Sequence, residues 1–419
     1  MILKLKYILI IVLFNICLPQ KILIPMDNTQ TDHLKAYGIA FLNLKKSIDV
    51  EWLLNYRGGS FLFDDYSDIK TLCTIRGVSF ELVNASKLSN ILTDIEANNM
   101  DIVLLEKEPK IAVYSPPDKQ PWDDAVTLAL TYAEIDYDVI FDDEVINGKM
   151  NDYDWLHLHH EDFTGQYGKF YRSYKNASWY KNMEKEFNET ASKHGFKSVH
   201  ELKKYIALKI KQYVAEGGFL FAMCSATDSF DIALAAQGVD IAEPAFDNSP
   251  VSPGYQSKLN FSNCVAFENY SLITNPMIYE YSNIDYPSND KPNLKTPEKD
   301  YFTLFEFSAK WDPVPTMLTQ NHVGIINGFM GQTTGFNRKY LKKHVVILAE
   351  VENDPQVKYI HGNVAKGTFT FLGGHDPEDY THKIGDPVTD LSLHKNSPGY
   401  RLILNNVLFP AARKKDRKT

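Results

Sequence analysis

Between residues 200 and 240 the pattern of apolar and polar positions changes period twice. ELKKYIALKIKQYVAEG repeats its apolar residues at helical spacing over roughly 200–216 and stops at Gly217-Gly218. The short apolar run FLFAM follows and predicts a buried parallel strand. It breaks on the small polar segment Cys224-Ser225-Ala226-Thr227-Asp228, and a second helical pattern opens at FDIALAA. Strand, tight turn and helix, with a thiol at the turn, is the layout of a nucleophile elbow. A side chain there stands at the sheet's C-terminal edge beside the unpaired N–H groups of the next helix, which lowers a thiol pKa.

The same alternation runs through most of the chain. KILIPMD predicts a strand, HLKAYGIAFLNLKKS a helix and VEWLLNY a strand. The turn Arg57-Gly58-Gly59-Ser60, a helical YSDIKTLCTIRG, the strand VSFELV and a helix ending near Asn99 follow. EKEPK at 106–110 marks a junction. Beyond it KIAVYSPP is a strand and PWDDAVTLALTYAEI a helix with Pro121 in its first turn, while YDVIFDDEV and DYDWLHLHH are two further strands. HVVILAEV and VAKGTFTFLGG are strands and YRLILNNVLF a terminal helix. Strands alternating with helices predict an α/β protein with a mostly parallel sheet covered on both faces. The expected organisation is an N-terminal α/β domain at 21–108 and a larger domain at 109–419, with insertions near 163–200 and 245–300.

Composition narrows the function classes. The 419 residues carry a formal charge of −9, and the cations are scattered apart from RKKDRK at 413–418, which argues against nucleic acid as a partner. Lys4 and Lys6 before the apolar run YILIIVLFNICL read as a signal peptide over 1–20, so export to a periplasmic or extracellular space is expected, with no stable membrane span after its removal. Cys17 lacks the small preceding residues of a lipid-attachment site. The three remaining cysteines, Cys73, Cys224 and Cys264, do not describe a disulfide framework; one bridge, Cys73–Cys264, is open to them.

A second segment of chemical interest is the strand ending Gly373-Gly374-His375-Asp376-Pro377-Glu378. A histidine after a sharp Gly-Gly turn can act as base to a thiol on a neighbouring strand, with Asp376 or Glu378 orienting its ring. Thr227 and Asp228 read as caps of the helix that follows the elbow. In the third segment, Trp155-Leu156-His157-Leu158-His159-His160-Glu161-Asp162, period-2 spacing sets His157 and His159 on one face of a strand. These residues are expected to line the pocket of Cys224. A metal held by His157, His159 and a carboxylate ranks below that reading, and no cofactor is expected.

Order and motifs resemble the class I glutamine amidotransferase-like superfamily, in which a Cys at a strand–helix elbow precedes a late His and a Glu. The spacing from His375 to Glu378 is one residue longer than is usual there, and Met223 and Ser225 stand where efficient amidotransferases have glycine. The segment Cys224-Ser225-Ala226-Thr227-Asp228 and the later Gly374-His375-Asp376 with Tyr380 look like the ThuA-like (trehalose utilisation) branch. The likeness covers about 109–419 in order. It implies a flavodoxin-like sheet and a Cys224–His375–Glu378 or Asp376 hydrolase or amidohydrolase. The alternative is a non-catalytic domain binding a sugar or other polar small molecule, with Trp122, Trp155 and Tyr380 as stacking walls. In either case the partner is a small molecule, carbohydrate or amide, contacted by Ser225, His157, His159, His160, Glu161 and Trp155. Similar exported proteins are sometimes labelled asparagine synthetase B, but this chain has Ile2 in place of the N-terminal Cys, and no SGGxDS motif.

Overall fold

The computed structural model describes residues 20–116, 124–287, 300–312, 318–329, 331, 333–374, 376–379 and 387–413. Residues 1–19 of the expected signal peptide, Trp122, His375, Tyr380 and all but the first residue of the basic tail lie outside them.

Strands β1 (Lys21–Ile24), β2 (Val50–Leu54), β3 (Ser60–Asp64), β4 (Glu81–Val83) and β5 (Asp101–Leu105) form one sheet in the order β4-β1-β3-β2-β5. Every pairing in it is antiparallel. The expectation of parallel strands is therefore corrected for this part of the chain. Two strands were missed, SFLFD and DIVLL, and β3 inserts between β1 and β2. The turn at 55–59 is short enough to return the chain at once, which makes β2 and β3 antiparallel neighbours.

The second sheet contains β6 (Ile111–Tyr114), β7 (Asp138–Ile140), β8 (Trp155–Leu158), β9 (Phe219–Met223), β10 (Tyr301–Leu304), β11 (Ile325–Asn327), β12 (Phe336–Asn337), β13 (Val346–Glu350), β14 (Gln356–Val364) and β15 (Gly367–Leu372). Its order is β11-β10-β13-β14-β15-β9-β8-β6-β7, with β12 on β14. The run from β7 to β15 is parallel, and the remaining pairings are antiparallel. The chain is thus a mixed α/β protein. Of YDVIFDDEV only Asp138–Ile140 is strand, and Asp142–Ile146 is a helix.

Period-2 alternation divides β9 between two cores. Phe219, Phe221 and Met223 join the core under helices His33–Lys45, Ala125–Ala133 and Pro398–Leu408. Leu220 and Ala222 face helices Val199–Glu216 and Ser225–Ala235 on the other side. Burying each large apolar side chain contributes roughly 1.5–3 kcal/mol, so a one-residue slip of this strand would exchange the two cores. The first core also contains Ile22, Trp52 and Phe61 of the small sheet, so the two sheets share it. Helix His33–Lys45 runs so close to helix Ala125–Ala133 that a Cβ on Gly38 would lie 1.8 Å from the carbonyl oxygen of Ala133. Among the described residues no helix is long and apolar enough to cross a membrane.

Candidate functional site

Cys224 follows β9 directly and is the residue before helix Ser225–Ala235. Its backbone has φ 49° and ψ −138°, a conformation that disfavours any residue with a Cβ. Holding a non-glycine residue there costs about 1–3 kcal/mol and occurs where the surroundings over-determine it. The fastening is visible. The Cys224 N–H is directed at the carbonyls of Leu372 (3.2 Å) and Gly374 (3.1 Å), which ties the elbow to the end of β15. The Gly374 N–H donates to Thr333 O (2.7 Å), and the Thr333 hydroxyl donates to Asp228 Oδ1 (3.0 Å), one turn into the elbow helix. Ser225, expected to touch substrate, is fully buried and its hydroxyl donates to the carbonyl of His160 (2.9 Å); it joins two loops of the sheet edge instead. Cys224 itself is 1% exposed.

Neither Thr227 nor Asp228 caps the elbow helix: both lie inside it, its N-terminus has no side-chain capping bond, and the Thr227 hydroxyl donates to Cys224 O (2.6 Å). One carboxylate oxygen of Asp228 accepts from Ser229 N–H and Thr333, while Oδ2 is buried and has no hydrogen-bond partner. Burial pushes its pKa up to about 7. The excursion at 245–287 brings Tyr281 and Asp285 to this region, each with a buried side-chain oxygen lacking a partner. Burial raises the Asp285 carboxyl well above its usual range, and the charges of Asp228 and Glu280 add to the effect. Burial likewise raises the Tyr279 phenol, which lies within electrostatic reach of Cys224. Nothing in the local sequence marks Thr333, Tyr281 or Asp285, since each arrives through tertiary contact.

His375 lies outside the described residues. Of its two candidate partners, Asp376 is buried and accepts from the Tyr400 hydroxyl (3.0 Å), and Glu378 pairs with His394 Nδ1 (3.2 Å). Neither Cys73 nor Cys264 is bridged, which removes the disulfide option. Burial pushes the Cys73 thiol up to about 12, and Cys264 Sγ donates to the carbonyl of Asp231 (3.3 Å).

The third segment divides. Trp155 is fully buried and packs against the rings of both His157 and Phe221, so it belongs to the core and is no ligand wall. His157 and His159 do share a face, as period 2 requires, and they turn away from solvent at 0% and 2% exposure. Both point at Asp124, which caps helix Ala125–Ala133 by accepting from Val126 N–H. That helix starts at Ala125 among the described residues, and Pro121 lies outside them. Burial raises the Asp124 pKa, but the two imidazoles outweigh it and the net effect is downward. His160 and Glu161, with Asp162, Tyr167, Phe170 and Lys203, line a cavity of about 50 Å³, but Cys224 is not among the residues that line it. Burial, reinforced by the Asp124 charge, pushes Glu161 up to about 8, and its carboxylate accepts from His159 N–H (3.0 Å). A carboxyl that keeps its proton at neutral pH can serve as a general acid.

No protein-family model matches the chain, and no curated protein matches it. Among solved structures, the cytoplasmic protein STM3548 from Salmonella typhimurium aligns over 73% of this chain and 100% of its own, at 10% identity and a TM-score of 0.35. The cytoplasmic protein STM1381 from Salmonella typhimurium LT2 aligns over the same shares at 12% identity and a TM-score of 0.33. A beta-galactosidase from Bacillus circulans sp. alkalophilus aligns over 64% of this chain and 29% of its own, at 9% identity and a TM-score of 0.24.

Proposed function

We propose that this chain is an exported Cys-dependent hydrolase or amidohydrolase with a flavodoxin-like, class I amidotransferase-like core. The observation that carries the reading is the backbone of Cys224, held at φ 49° and ψ −138° between a buried parallel strand and a helix N-terminus. The parallel order β7-β6-β8-β9-β15 supports the core assignment, because it corresponds to 2-1-3-4-5 in chain order. In the reaction the Cys224 thiolate attacks a carbonyl carbon, and the electron pair moves onto the oxygen beside the N–H groups at the start of helix Ser225–Ala235. His375 takes the thiol proton and returns it to the leaving amine or alcohol. Water then hydrolyses the thioester and restores the thiol. Export rests on Lys4, Lys6 and the apolar run after them.

The test is alkylation of Cys224 as a function of pH in the wild type, Cys224→Ser and His375→Ala. All three cysteines are buried and burial raises the pKa of Cys73 and Cys264, so the labelling lost in Cys224→Ser is the part that reports Cys224. The expected outcome is a midpoint well below the free-thiol value of about 8.5, lost in His375→Ala. Slow labelling that His375→Ala does not change would overturn the enzyme. It would leave a pocket that binds a polar small molecule without chemistry, the reading favoured by the 1% exposure of Cys224.

A further inference from the structure

We infer that Asp124, His157 and His159 form a binding site for a divalent transition metal of the zinc class, held by two imidazole nitrogens and one carboxylate oxygen. Their ligand atoms lie within 4.8 Å of one another. His157 Nε2 and His159 Nδ1 each stand 3.3 Å from Asp124 Oδ1.

The surroundings of His157 fix where its ring proton sits. Its Nδ1 lies 3.1 Å from the carbonyl oxygen of Phe221, across the β8–β9 ladder. A carbonyl only accepts, so Nδ1 carries hydrogen and the lone pair of a neutral ring is on Nε2. That Nε2 is fully buried, has no hydrogen-bond partner and faces a carboxylate oxygen. Two acceptors facing each other at this distance need a cation between them, either a proton or a metal.

Distance decides between the two. A proton shared by an imidazolium and a carboxylate draws the heavy atoms to about 2.7–2.9 Å. At 3.3 Å both contacts are longer than that. A tetrahedral ion with bonds of about 2.0–2.1 Å holds neighbouring ligands roughly 3.3–3.4 Å apart. Both nitrogen–oxygen separations match that edge. Donation of the remote ring N–H to a backbone carbonyl is also how metal-binding histidines are oriented. Two imidazoles with one carboxylate suit zinc and its first-row neighbours and do not suit magnesium or calcium, which prefer oxygen ligands. Three protein ligands leave one tetrahedral position for water or substrate.

The site is assembled from distant parts of the chain. Period 2 in β8 aligns the histidines, and the N-terminus of helix Ala125–Ala133 delivers the aspartate. It does not depend on Cys224, so its test and the thiol test stand apart.

The test uses the full chain, stripped with a chelator, desalted, and titrated with Zn2+, Co2+ and Mg2+. The expected result is one equivalent of Zn2+ or Co2+ with saturable affinity, visible absorption from low-coordinate cobalt, no comparable binding of Mg2+, and a Tm that rises with zinc concentration. His157→Ala, His159→Ala and Asp124→Asn each lower zinc affinity by more than the ~10–100-fold that loss of an outer partner costs. Asp124→Asn is the most informative of these, because asparagine caps a helix as well as aspartate does and the fold is retained. A folded wild type that takes up neither Zn2+ nor Co2+ overturns the proposal. So does zinc binding that all three variants leave unchanged.

Discussion

At the join between the two sheets Arg401 is fully buried, yet its guanidinium is answered on every side: Nε donates to the Tyr37 hydroxyl (2.9 Å), Nη1 to Met26 O (3.0 Å) and Nη2 to Gly58 O. Tyr37 passes the chain of bonds on to Asn405 Oδ1 (2.5 Å). At the open edge of the parallel strands polar side-chain atoms are buried too, but Asp124 Oδ2, His157 Nε2, Asp228 Oδ2, Tyr281 Oη and Asp285 Oδ1 make no hydrogen bond. Helix Ser225–Ala235 shows the same contrast in miniature. Asp231 accepts three backbone N–H groups, from Val265, Ala266 and Phe267, whereas Asp228, three residues earlier, is left incomplete. Buried polar groups in folded proteins are nearly always paired. A satisfied network is architecture, and a cluster of unsatisfied groups in one place is a surface prepared for something else.

The largest effect is expected from breaking the satisfied side. Arg401→Met keeps the length of the side chain and strands the oxygens of Met26, Gly58 and Tyr37 in a dry interior. The loss is about 3–5 kcal/mol, as when one partner is removed from a buried charged network. In urea the midpoint falls with the slope unchanged. A loss under about 1 kcal/mol would mean that the join is not held by this network, and the contrast would collapse.

The two regions also titrate with opposite signs. Asp228 has a folded pKa of about 7, raised by burial, so the native state holds a proton that the unfolded state releases near pH 4. Its contribution is intact below about pH 4 and is lost as pH rises towards 7. His33, at the join, is lowered to about 4, by burial first and by Arg401 second, although its two ring nitrogens lie near Asn396 Oδ1 and Met26 O. Its contribution is intact above about pH 6.5 and is lost as pH falls towards 4. In the wild type the two slopes oppose each other and largely cancel. Relative to wild type, the stability of Asp228→Asn should climb by about 1.4 kcal/mol per pH unit between pH ~4 and ~7, and that of His33→Gln should drop at a similar rate between pH ~4 and ~6.5. Parallel profiles for all three proteins would show that neither group is perturbed.

The edge was more legible in sequence than the join, for a physical reason. The elbow is local: a helical period, a five-residue apolar run, a thiol and a second helical period follow one another within a single strand–helix unit, and the structure builds that unit. The shared face of His157 and His159 is local too. Asp124, Thr333 and Asp285 are not, because each reaches the edge from another element. Strand β14 was missed because its buried positions include Gln356, Lys358 and His361, polar residues that erase the apolar alternation. Lys358 sits there because its ammonium donates to the carbonyls of Phe329 (2.8 Å) and Thr334 (2.5 Å), acceptors supplied by a distant loop. The missed β3 and β5 read as ordinary apolar runs, and their antiparallel pairing with β2, one on each side, is set by tertiary structure.

The smallest expected effect sharpens the comparison most, because it separates backbone from side chain at the elbow. Cys224→Ala and Cys224→Gly both delete the thiol. Alanine must still hold φ 49° and ψ −138° with a Cβ, whereas glycine adopts that conformation readily. Relief of about 1–3 kcal/mol of strain is partly offset by the roughly 0.4–1 kcal/mol that glycine's freer unfolded chain costs. Cys224→Gly should therefore be more stable than Cys224→Ala by about 1 kcal/mol in paired urea titrations. Arg57 supplies the control. It too has positive φ (47°), but with ψ 48° it occupies the left-handed helical region that residues bearing a Cβ tolerate better. Its alanine and glycine variants should differ by less than the pair at 224. Glycine no better than alanine at 224 would mean that the elbow stores no strain. The position would then need no thiol chemistry to explain why a residue other than glycine occupies it.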